Sequence, residues 1–211
     1  MRLAILGVLA AVSATLPLAA QCWDKPVEKW TEADARRVLA DSPWARASVP
    51  SLQEAVIMPA LTAGDLPFPL SKLTIRWESA KPIVHARRMS GSTPLAQDDG
   101  CHYQVSIAGF RIDRQRAESV LGEAEATLQY CSHDPVKAAS VRVVRDLDDT
   151  PLVVFQFPKT EAVREPGVFR ILPFGARIRS NEFHFTARVG PVTMKQKFDL
   201  RDMIFLRELA L

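Results

Sequence analysis

The sequence predicts an α+β domain, mainly antiparallel sheet with two or three peripheral helices. Three observations predict it. About seven segments alternate apolar and polar residues at the period of a strand. Most of them follow one another through turns. Only one convincing amphipathic helix falls between strands, which disfavours a doubly wound parallel sheet. A β-sandwich with helical additions is the alternative architecture.

In chain order the first element is a leader. Met1-Arg2 opens it, an apolar run covers 3–12, and Leu18-Ala19-Ala20 brings small residues up to a polar one. That is the pattern of a secretory signal peptide. Ser13, Thr15 and Pro17 break the run, which falls short of the roughly 20 apolar residues a membrane span needs. A cut after Ala20 leaves Gln21-Cys22-Trp23 at the N-terminus. A Cys so near a leader also raises lipid anchoring, but a lipoprotein signal wants a small residue before the Cys and Gln21 is not small. The expected organisation is a signal peptide over 1–20, an N-terminal helical arm with a Pro-rich loop over 21–70, and a β-rich domain over 71–211.

Thr31 and Asp34 form a capping-box pattern, and Ala35, Val38 and Leu39 then fall on one helical face before Ser42-Pro43 stops it. Ser51 to Glu54 offers a second cap for a short helix that Pro59 ends. Leu73, Ile75 and Trp77 alternate with polar residues, so a strand is expected there with one buried face. A short helix follows over 82–89 and a polar loop over 90–100. Tyr103, Val105 and Ile107 give a second strand, and Ala117, Val120, Leu121 and Ala124 a helix at i, i+3, i+4, i+7. Strands are expected over 126–131, 140–145 and 152–157. Phe183 to Val189 and Val192 to Phe198 read as a long hairpin about Gly190-Pro191. A turn at 199–203 leads to an apolar tail that docks or adds an edge strand.

Of 211 residues, 191 remain without the leader, enough for one well-packed domain. They carry 26 Lys and Arg against 24 Asp and Glu, a net charge of +2 that argues against a dedicated nucleic-acid surface.

Three cysteines follow the leader. In an oxidising compartment Cys101 and Cys131 are the expected disulfide, because Cys22 sits on a loose end. By loop entropy that bond is worth about 3.5 kcal/mol. Cys22 is then a free thiol, or the site of lipidation.

The ordered phrases Trp30-Thr31, Asp34-Ala35, Ser42-Pro43-Trp44, Arg76-Trp77-Glu78-Ser79 and Phe198-Asp199-Leu200-Arg201-Asp202-Met203 give the chain a resemblance. It resembles an uncharacterised family of small bacterial proteins with secretion leaders and a similar Leu-x-Leu tail. That resemblance implies a secreted single domain. It adds no activity and no site residue.

Candidate chemistry is sparse. Cys101-His102 and Cys131-Ser132-His133 are a ligand set that zinc or copper accepts, without zinc-finger spacing, and a disulfide would remove it. No Cys-x-x-Cys supports redox catalysis. Asp146, Asp148 and Asp149 lack the Gly and distal Glu of a calcium loop and read as a solvated turn. Gly-x-Ser-x-Gly, Ser-x-x-Lys and His-Glu-x-x-His do not occur. His184 reads as an exposed strand residue.

The expected function is therefore a non-catalytic secreted or periplasmic domain, with no cofactor, that binds a protein or envelope partner through a sheet edge or the N-terminal arm. Membrane contact follows only if Cys22 is lipidated or the leader is retained. A metal-binding or enzymatic protein built on the Cys/His clusters is one alternative. A lipid-anchored envelope component is the other.

Overall fold

The computed structural model describes residues 21–52, 73–92, 95, 101–110, 121–131, 133–159, 181–190 and 192–211. The leader, the Pro-rich loop over 53–72, the first half (117–120) of the helix expected at Ala117 to Ala124, and the segment 161–176 lie outside them.

The described fold is mostly antiparallel sheet with two α-helices. The first sheet has the order β1 (Ala45–Ser48), β3 (Leu73–Trp77), β4 (His102–Ala108), β8 (Pro151–Pro158), β7 (Ser140–Arg145). The second runs β2 (Ser51–Leu52), β10 (Val192–Asp199), β9 (Glu182–Val189), β5 (Glu125–Tyr130), β6 (Val136–Lys137). A two-residue hairpin, β11 (Ile204–Phe205) with β12 (Glu208–Leu209), ends the chain.

Register explains the burial. Ile75 opposes Ile107, which opposes Val153, which opposes Val143. Directly opposed residues share a face, so an apolar band crosses the first sheet. In the second sheet Phe183 lies between Tyr130 and Phe198. One hydrophobic cluster takes in both bands. Trp77, fully buried, meets Phe183 at 5.0 Å and Phe198 at 5.5 Å between ring centroids, and Phe155 meets Phe185 edge-on at 5.8 Å.

Helix α1 (Glu32–Ala40) starts on the expected box: Thr31 Oγ1 accepts from Asp34 N–H at 3.1 Å, and Asp34 accepts from Thr31 N–H at 2.9 Å. It packs against α2 (Lys81–Met89), whose Pro82 suits the first helical turn. Ahead of α1, single 3-10 turns at Cys22–Asp24 and Val27–Lys29 carry Trp23 and Trp30 onto Trp44 and Phe205. The C-terminal tail docks there too, since Trp44 donates its indole N–H to the Ala210 carbonyl at 2.8 Å.

Two expectations change. Cys22 is no loose end: it is 3% exposed and belongs to the core. Ser51 and Leu52 do not open a helix but pair with Thr193 and Val192 as β2. The sequence also hid β1, which has no β-branched residue and is a strand because β3 pairs with it.

Candidate functional site

The second face of the first sheet is not solvated. Arg76, Gln104 and Ser106 point away from the apolar band and are nevertheless buried. A burial pattern without alternation means cover on both sides.

The charges there form a closed network. Arg87, from α2, grips Glu78 through two parallel bonds of 2.7 and 2.9 Å. Ser106 on β4 donates to the same carboxylate at 2.6 Å. A third Arg87 nitrogen reaches Asp146 at 3.2 Å, and Arg76 donates to the other Asp146 oxygen at 2.6 Å. Arg76 also bonds the last turn of α1 through the Leu39 carbonyl at 2.7 Å. Two carboxylates and two guanidiniums leave no net charge, and their mutual bonds offset the cost of removing them from water.

Burial pushes the Asp146 pKa up, but the Arg76 and Arg87 guanidiniums outweigh it and hold the carboxyl below its ordinary value. The Glu78 and Asp146 side chains are 0% and 7% exposed and saturated with internal donors. The network is a clasp: it ties α1, β3, β4 and α2 to the turn that joins β7 and β8.

Beyond that turn lies the β7 edge of the first sheet. β7 is six residues long and pairs with β8 on one side, with no described strand on the other. Val141 and Val143 pack on the core, Val144 on a small cluster of the opposite face, and Arg142 is exposed. Arg145 is engaged with Asp149. The start of β7 meets a cleft of about 460 Å³, walled by Gly122, Ala124, Ala126, Ala138 and Ala139 and flanked by Glu125 and Lys137. A second, polar cavity of about 320 Å³ lies among Gln21, Trp23, Arg37, Asp41, Arg46 and Asp202.

The Cys/His clusters stand elsewhere. Cys101 is exposed before β4, and its carbonyl accepts from Lys159 N–H at 2.8 Å. Cys131 is half-buried after β5, at φ 49°, and donates its N–H to the Glu182 carbonyl at 2.9 Å. Tyr103, two residues after Cys101, and Tyr130, just before Cys131, both pack on Phe183. The structure contains no Cys101–Cys131 disulfide. His102 opens β4 opposite Pro158, and the His133 ring stacks on Tyr130 at 5.7 Å. Among the described residues no three His, Cys, Asp or Glu side chains gather in a metal-holding group.

Nor do the three aspartates converge as a calcium loop. Asp146 turns inward to the clasp, Asp148 accepts from Thr150, and Asp149 sits at φ 62° beside Arg145. His184 projects beside Glu182, 3.6 Å from its carboxylate. Cys22 is a free thiol, 3.9 Å from the Asp34 carbonyl oxygen. Burial raises its pKa.

No family model, no curated protein and no solved structure matches the chain. No helix among the described residues is long and apolar enough to cross a membrane.

Proposed function

We propose that this is an exported, non-catalytic binding protein, a β-sandwich with helical additions, which takes up an extended partner segment by strand addition on β7. The observation that carries the reading is the state of that edge. β7 is a regular strand whose outer side has no described neighbour, and its end is fixed by the buried Asp146 clasp. Strand addition uses main-chain bonds for affinity and alternate side chains for specificity. A fixed edge loses little entropy on binding.

The chemistry of the edge selects the partner. Arg142 stands exposed with no ion pair among the described residues, so an acidic side chain opposite it is favoured. A small apolar residue of the same segment suits the alanine-walled cleft at the start of β7. The leader pattern supports export. The burial of Cys22 counts against a lipid on its sulfur.

The test is a titration with a labelled peptide alternating Val and Glu. Saturable binding that weakens about tenfold in Arg142→Glu, and falls with added salt, supports the reading. Absence of binding, or binding indifferent to Arg142→Glu, contradicts it.

A further inference from the structure

We propose that maturation leaves Gln21 at the N-terminus and that Gln21 then closes on its own side chain to pyroglutamate, blocking the amino end of the protein. The inference rests on the export reading. Leu18-Ala19-Ala20 places the cut directly before Gln21. The structure supplies the reason the trimming stops there. From the next residue on the chain is anchored: Cys22 is 3% exposed, and the Trp23 ring meets Trp44 edge-on at 6.3 Å. Gln21 itself is exposed, so it is free to react.

Its surroundings suit the closure. The Gln21 backbone nitrogen lies 3.2 Å from Asp24 Oδ2, and the Gln21 carbonyl accepts from Asp24 N–H at 3.0 Å. In the cleaved chain that nitrogen is the α-amine. Its lone pair attacks Cδ of the side-chain amide, an N–Cδ bond forms, the Cδ–Nε2 bond breaks, and ammonia leaves carrying the proton the amine gives up. No electron is exchanged with an outside reagent. Nucleophile and carbonyl belong to one residue, so the step has the advantage of an intramolecular reaction. The Asp24 carboxylate is placed to relay the proton. The lactam nitrogen keeps one hydrogen, so its bond to Asp24 survives the reaction.

The consequence is local and chemical. A free α-amine would place a positive charge at the rim of the polar cavity beside Arg37 and Arg46. Closure removes that charge, and with it the group an aminopeptidase must grip.

The experiment is the intact mass and N-terminal peptide of the protein exported with its own leader. The expected mass is that of the chain from Gln21 less one ammonia, with an end that resists amine labelling. Gln21→Ser should be cut at the same place and label fully, and Asp24→Asn should close several-fold more slowly. A mature chain with an open Gln21 amine overturns the closure and leaves the export reading standing. A chain cut before Cys22 and carrying diacylglycerol there also overturns the closure while export stands, and a chain kept uncleaved in the cytoplasm overturns both.

Discussion

Glu78 and Arg87 form a two-pronged ion pair in which neither side chain is more than 1% exposed. Without Arg87, Glu78 is an uncompensated buried charge, and without Glu78, Arg87 keeps only its longer bond to Asp146. Arg87→Met should therefore cost about 3–5 kcal/mol, and Glu78→Leu a similar amount. The double variant should recover part of that loss, because no charge is then stranded between these two positions. Urea denaturation of the three variants checks it. A double variant as unstable as the sum of the singles would contradict the pairing.

Acid should act through Asp146. Its folded pKa lies below its ordinary value, so its contribution is present above the unfolded pKa and is lost as pH falls through the folded one. The prediction is a stability loss that begins below about pH 4 and is smaller in Asp146→Asn, measured by denaturation across pH. The same variant should speed hydrogen exchange in β7, since the clasp holds the turn beside it.

The tail hairpin carries strain. Leu206 and Arg207 join β11 to β12 at φ 51° and 68°, the left-handed pair of a two-residue turn that favours Asn-Gly. Both side chains are exposed, so replacing them loses little packing. Leu206→Asn with Arg207→Gly should stabilise by about 1–2 kcal/mol in thermal or urea unfolding. An unchanged or lower midpoint would show that the turn is not strained.

Cys22 should behave as a core thiol. Burial raises its pKa and covers it, so iodoacetamide should label Cys22 slowly in the native protein and at the ordinary rate in denaturant. Equal rates in the two states would contradict its burial.

Alternation located most of the sheet because a half-buried strand writes its buried face into the sequence. Leu73, Ile75 and Trp77 were legible for that reason, as was the hairpin from Phe183 to Phe198. What covers the other face is not written locally. Arg76 and Glu78 read as solvated until α2 and the β7–β8 turn bring Arg87 and Asp146 over them, from 9 to 70 residues away. Asp146 read as part of a solvated turn with Asp148 and Asp149, and only those two are exposed. Cys22 read as loose because what its turn packs on, helix α1, lies further along the chain and not in its own segment. For the proposed edge site the sequence offered only a class, a sheet edge or the N-terminal arm. Which strand is the long edge depends on sheet order, and no local pattern carries that.

The most direct test is hydrogen exchange over β7, with and without the Val/Glu peptide, in the protein and in Arg142→Glu. Strand addition predicts new protection in Ser140–Arg145 on binding, reduced in the variant. Protection confined to other segments, or none at saturating peptide, would contradict it.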